Sequence, residues 1–506
     1  MKNVILLRNT ITITSKLITM IRFIKTFLCL SVILSALHLQ AQDDLYRLNG
    51  KLLGETQIEE DLQELCDQIG GRVTGSKANE KAVEWALNKF KEAGVKSWKE
   101  SFTMPVLWLP KATDVEVSGA IDFKPKVVAK YQSPPGNHRG ELLYLGMGQA
   151  ADFEKAGKSV VGKFIIVEAD LCLDINGLFT EYGMAAATEK LALEHQVKGI
   201  IFMASRPKGL LYRFITSKTT DNQMPQIVMA REDAKRCIRI LEQGQSLNIN
   251  IQINAKVGGE FVSHNVFAEI PGSEKPEEIV IIGSHIDSWA LGTGANDNGC
   301  NVSMMIDIAR QMQALKIKPK RTIRFALWNG EEQGYFGSWN YTKDHEKEMK
   351  NHIMALSVDI GSGPISGFFT NGREELVAAV DEVLKPVAAL GDFTQLNVPI
   401  VGTDNFDFML QGIGNLVANH LPTNYGLNYH AASDTYDKVD LKSLKINSAI
   451  IAALTLGFAN LEDSKMKWPQ QSRAEIQQLF EAHKLEFTMR MFSVWEPWIN
   501  GSRGRK

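Results

Sequence analysis

Two apolar runs that break off into His, Asp and Glu constrain this chain more than any other feature. The first, Ile279-Val280-Ile281-Ile282, leads into Gly283-Ser284-His285-Ile286-Asp287. The second, Thr322 to Leu327, ends in Trp328-Asn329-Gly330-Glu331-Glu332-Gln333-Gly334. Between them lie the loop Asn296-Asp297-Asn298-Gly299 and a helical pattern from Gly299 to Leu315. An apolar run without polar alternation reads as a strand covered on both faces. Strand, helix and strand in that order predict a parallel pair, and open parallel sheets gather ligand groups beyond the carboxyl ends of their strands.

The alternation continues downstream. Helices are predicted at Gly334 to Met349, Glu374 to Ala389, Asn405 to Leu410 and Leu441 to Ala459, with strands at Ile353 to Val358 and Asn415 to Ala418 and a strand or loop near Val398. The expected fold class is therefore α/β, a mostly parallel (mixed) central sheet with helices on both faces. Upstream, Ile58, Leu62, Leu65 and Ile69 recur at helical spacing, and Gly70-Gly71-Arg72-Val73-Thr74-Gly75-Ser76 separates them from a second helix with Ala82, Trp85, Ala86, Lys89 and Phe90 on its core face. From about Pro134 to Gly259 short β-like runs alternate with helices at Ala185 to His195 and Arg231 to Glu242, and no cluster of His, Asp and Glu occurs there. This stretch reads as an inserted β-rich accessory domain. The expected division is 1–41 leader, 42–133 and 260–462 forming one catalytic α/β domain, 134–259 the insert, and 463–506 a polar helical extension with an aromatic end.

Residues 1–41 have the features of an export signal. Arg22 and Lys25 precede the apolar run Phe27 to Leu37, and Ala41 is a small residue at the cut. That run is too short for a stable bilayer span, so periplasmic or secreted protein free of the membrane is expected after cleavage, and Met20 is a credible alternative start. Cleavage removes five basic and no acidic residues and moves the formal charge from −2 to −7, which gives no electrostatic case for nucleic acid. Cys66, Cys172, Cys237 and Cys300 remain, as a disulfide pair or as buried thiols. Homodimer formation stays open.

Five residues fall at predicted strand ends or in the loops that follow: His285, Asp297, Glu332, Asp359 and His430. Singly each has an ordinary structural explanation, but together in successive loops of one sheet they form a donor set of two imidazoles and three carboxylates suited to Zn²⁺. Asp287, two residues after His285, shares its face if the strand persists, and is placed to hydrogen-bond the ring nitrogen not used for metal. Glu331 and Glu332 point in different directions at a strand-to-helix turn, so one can ligate while the other moves a proton; position does not say which. No G-x-S-x-G nucleophile elbow is present, which argues against a serine hydrolase.

The segments Gly283 to Trp289, Gly294 to Gly299, Trp328 to Gly334, Ser357-Val358-Asp359 and Tyr429-His430-Ala431-Ala432-Ser433-Asp434-Thr435 resemble the co-catalytic zinc exopeptidases. That family includes aminopeptidase Y, bacterial leucyl aminopeptidases and glutamate carboxypeptidase, and its carboxypeptidase Q type is the most similar. The resemblance implies a zinc-aminopeptidase-like sheet with a protease-associated insert. It also implies two Zn²⁺ bridged by Asp297, one held with His285 and Asp359, the other with Glu332 and His430. Glu331 would be the general base, Asp287 the partner of His285, and Tyr429 an oxyanion donor; the peptide after Asp297 would be cis. The expected reaction is hydrolysis of a terminal bond of a short peptide or dipeptide. Asn298 departs from the family pattern, where a second Asp is common, and Gly414 stands where proline is common. The competing readings are a single-zinc glutaminyl cyclase and a catalytically inactive binding ectodomain of the same fold.

Overall fold

The computed structural model describes residues 43–172, 174–214 and 224–506, so the expected leader lies outside the described residues. Two seven-stranded mixed sheets carry the chain. The first runs in the spatial order Lys96–Met104, Phe261–Ile270, Arg321–Trp328, Lys275–His285, His352–Ser357, Asn415–His420, Ile365–Phe369. Its four inner strands from Arg321–Trp328 to Asn415–His420 are parallel, and antiparallel strands flank them on either side.

Alternation within the first apolar run explains how that sheet is covered. Val280 and Ile282 face one core with the helices Lys77–Glu92, Cys300–Ala314 and Leu441–Asn460; Ile279 and Ile281 face another with Trp328, Tyr341 and Phe408. Leu441–Asn460 is long and apolar enough to cross a membrane, yet most of it is buried here, as a core helix should be.

The second sheet runs Leu107–Gly119, Leu247–Gly258, Gly136–Tyr144, Phe164–Val167, Gly199–Met203, Gln226–Met229, Val127–Ala129. It therefore begins upstream of the expected boundary at 133/134, because Leu107–Gly119 pairs antiparallel along the whole of Leu247–Gly258. Two further differences have local causes. The helix expected from Ala185 spans Ile175–Glu194 and is capped by Asp174, whose carboxylate accepts from the Gly177 amide at 2.9 Å. The helix expected from Gly334 starts at Phe336, because Tyr335 sits in the left-handed region at φ 60°, and the α-helix ends at Asp344. Near Val398, where a strand or a loop is expected, the chain is a loop, and Pro399 lacks the N–H a ladder needs; Ile365–Phe369 forms the edge strand. Cys66, Cys172, Cys237 and Cys300 are buried free thiols.

After Leu461 three short helices, Arg473–Ala482, Glu486–Met491 and Trp495–Ile499, fold back onto Asn405–Leu410. Ser472 and Glu475 form a capping box that starts the first of them.

Candidate metal centre

The four inner strands of the first sheet deliver the ligand-type residues to one edge. His285 ends its strand beside Trp328, Glu331 and Glu332 follow Trp328, Asp359 lies two residues beyond Ser357, and His430 follows the short helix Tyr425–Asn428. Asp297 arrives from the loop before Cys300–Ala314, and its peptide bond to Asn298 is cis.

These residues form two groups that share Asp297. His285 Nε2 is 3.1 Å from Asp297 Oδ1 and 2.9 Å from Asp359 Oδ1. On the other side His430 Nε2 is 3.2 Å from Asp297 Oδ2 and 2.9 Å from Glu332 Oε2. The opposite nitrogen of each ring faces a main-chain carbonyl: His285 Nδ1 lies 3.0 Å from Asp287 O, and His430 Nδ1 lies 2.9 Å from Arg213 O. A carbonyl can only accept, so each Nδ1 carries a proton, which leaves Nε2, the nitrogen facing the carboxylates, as the ring atom able to ligate a metal. The Asp287 hydrogen bond to His285 thus comes from its main chain rather than its side chain. The Asp287 carboxylate instead accepts from the Thr74 hydroxyl at 2.8 Å and the Glu331 amide at 3.3 Å, tying three loops together.

The donor set fits zinc. Four tetrahedral ligands at about 2.0 Å from zinc are about 3.3 Å apart, close to the separations within each group. Glu332 Oε1 is buried without a hydrogen-bond partner, leaving it a free acceptor for a cation. Electrostatics point the same way. Burial disfavours a charged imidazole, yet Asp359 and Asp297 hold the His285 pKa well above its ordinary value, and Glu332 and Asp297 push His430 up to about 9. Burial also raises Glu332 to about 7 and Glu331 well above the usual carboxylate range. Carboxylates crowded in a dry site favour positive charge between them.

Several supporting residues carry no ligand signature in the sequence. Arg72 is fully buried and donates to the carbonyls of Gly70 at 3.1 Å, Ile286 at 2.8 Å, Thr293 at 2.7 Å and Gly294 at 2.9 Å. It joins the glycine-rich turn to the loop that leads to Asp297, and a Cβ on Gly71 would lie 2.6 Å from Ala290 Cα in that loop. Asp434 accepts from the amides of Asn296 at 2.7 Å and Asp297 at 3.1 Å. Asn298 donates to Asp359 Oδ1 at 2.8 Å, so an amide holds this carboxylate of the first group. From the other half, Arg213 clamps His430 with its main chain: its carbonyl accepts from Nδ1 and its amide donates to His430 O at 3.1 Å. Tyr182 places its hydroxyl 3.4 Å from both Tyr429 Oη and His430 Nδ1. Arg72 and Asp434 lie within stretches whose residue patterns are distinctive; nothing local marks Tyr182 or Arg213.

A cavity of about 330 Å³ opens over both groups. Glu331, Glu332, Tyr335 and Tyr429 line it from the first sheet, Lys130, Tyr182 and Phe214 from the other half, and Met491, Phe492 and Ser493 from the C-terminal helices. Burial keeps the Tyr429 phenol protonated, and its ring stacks on His430 at 3.6 Å.

Residues 265–455 match the model of peptidase family M28. Carboxypeptidase Q of Rattus norvegicus is 25% identical over 416 residues, spanning 79% of this chain and 84% of that protein. A peptidase M28 precursor from Shewanella amazonensis SB2B is 26% identical, with a TM-score of 0.75 over 83% of this chain and 97% of its own. BSAP, a zinc aminopeptidase from Bacillus subtilis, shares the fold at 19% identity, with a TM-score of 0.63 over 82% and 97%. Fold, donor set and relatives define a metallo-exopeptidase, a hydrolase of peptide bonds. In sequence and fold the chain is similar to the co-catalytic zinc exopeptidases.

Proposed function

We propose that this protein is a zinc-dependent exopeptidase that hydrolyses a terminal bond of short peptides with two zinc ions. The observation that carries this reading is the shared carboxylate: the two oxygens of Asp297 face different histidines, and each histidine has its own second carboxylate. His285, Asp297 and Asp359 would hold one ion, and Asp297, Glu332 and His430 the other. Zinc there would supply Lewis acidity, lowering the pKa of water and polarising a carbonyl.

The remaining chemistry belongs to the chain. Glu331 lines the cavity outside both ligand groups and is the general base, taking a proton from water and returning it to the leaving amine. Burial raises its pKa above the usual carboxylate range, the direction that makes a carboxylate a stronger base. Asp287 fixes the Glu331 main chain and, through its carbonyl, the His285 ring. The protonated Tyr429 phenol is a hydrogen-bond donor for the developing oxyanion. A single-zinc transferase or an inactive ectodomain has no use for the full set of five ligands, and all five are present.

The test is to purify residues 42–506, measure zinc per chain and assay a dipeptide panel with and without chelator. Chelator-sensitive release of a terminal residue is expected. Less than one zinc per chain together with no chelator-sensitive cleavage would overturn the reading.

A further inference from the structure

The C-terminal extension lies outside the region matched to the family, 265–455, yet its residues form part of the cavity over the metal centre. Phe492 stands between Tyr182 and Tyr335, with ring centroids 6.1 Å from each. Those two neighbours come from opposite halves of the molecule: Tyr182 reaches the His430 ring, and Tyr335 lies three residues beyond Glu332. The helix Glu486–Met491 also abuts Ile175–Glu194, so the extension crosses the cavity from one half to the other.

The extension is firmly attached. Arg503 donates to both oxygens of Asp407 at 2.7 Å, with both side chains buried, and Asp407 also accepts from Ser338 at 2.9 Å. The Arg505 amide donates to Leu410 O at 2.9 Å, and Phe480 packs between Phe406 and Trp498. A bidentate guanidinium–carboxylate pair in a dry setting fixes position as well as proximity. A segment held at that many points is a wall of the cavity.

Resting on the exopeptidase reading above, we infer that Phe492 and its neighbours Met491 and Ser493 set the length of peptide this enzyme accepts. The cavity is at the lower end of the roughly 300–1,000 Å³ span of small-ligand sites, and an aromatic wall across it leaves room for a short peptide but not for a continuing chain. Phe492 acts by excluding residues beyond those next to the scissile bond, and takes no part in proton transfer.

The test compares kcat/KM for leucyl-alanine and for a pentapeptide beginning Leu-Ala in wild type, Phe492→Ala and Phe492→Trp, with zinc content measured on each. Wild type should favour the dipeptide. Phe492→Ala should narrow that preference by about tenfold, the scale on which a few carbon atoms in a pocket discriminate, mainly through a lower KM for the pentapeptide. Phe492→Trp should widen it. Zinc content should stay near wild type in Phe492→Ala. If both peptides respond equally to each substitution, or if wild type already cleaves them equally well, Phe492 does not set length and the inference is wrong. Wild type that binds zinc but cleaves neither peptide would overturn the exopeptidase reading itself.

Discussion

Replacing Arg72 by methionine should loosen the metal centre without touching a ligand. The guanidinium is fully buried and donates to four main-chain carbonyls, three of them, Ile286, Thr293 and Gly294, in the loop between His285 and Asp297. All four carbonyls lose their charged partner, but Gly294 O keeps a second donor, the Gly299 amide at 3.0 Å, so three are left unsatisfied. At about 1–3 kcal/mol for each buried group left unsatisfied, the expected loss of stability is at least about 3 kcal/mol. Loss of the cation also removes its field from Asp434, Asp287 and Asp297. Zinc affinity should then fall by about 10- to 100-fold, as it does when groups that orient ligands are removed. Urea unfolding of zinc-loaded and chelator-treated protein reads the first effect, and competition with a zinc indicator the second. Arg72→Lys, with three donors on a rotating ammonium, should fall between the two proteins. An Arg72→Met protein within about 1 kcal/mol of wild type and with unchanged zinc affinity would show that the loop keeps its shape unaided, and would refute the reasoning.

Three further outcomes are expected. Glu331→Gln should keep its zinc but lose about 10²- to 10⁴-fold in kcat, the usual contribution of a general base, whereas Glu332→Ala should lose zinc; metal analysis beside steady-state kinetics separates them. Tyr429→Phe should lower kcat by up to about 10²- to 10³-fold with little change in metal content, and an unchanged kcat would remove the phenol from the reaction. Arg503→Met strands the buried Asp407 carboxylate and should cost about 3–5 kcal/mol in denaturant unfolding; a loss below 1 kcal/mol would mean the pair does not anchor the extension.

The inner sheet was legible because its strands are buried on both faces and therefore apolar without interruption. Ile279 to Ile282 and Thr322 to Leu327 read as strands, and the donor residues follow at once. Signals weaken where burial is one-sided or glycine intervenes. Ile365–Phe369, an edge strand broken by Gly367 at φ 145°, has no such run, and Gly177 and Gly183 hide the first part of Ile175–Glu194. The beginning of the second sheet was obscured because Leu107–Gly119 pairs with a strand more than a hundred residues away. For the centre itself, residue types identify donors but not what orients them. Asp287 holds His285 by a carbonyl that every residue possesses, and Arg213 clamps His430 in the same way. Phe492 reaches the cavity only because the chain folds back, which no local pattern encodes.

The central claim is that Asp297 serves two metal ions at once, and counting metal tests it most directly. Wild type and Asp297→Ala, saturated with zinc and freed of excess, would be analysed by inductively coupled plasma mass spectrometry. The account predicts about two zinc ions per wild-type chain and fewer than one in the variant, because both ligand groups lose a member together. A single ion in wild type, or a variant that still holds two, would contradict it.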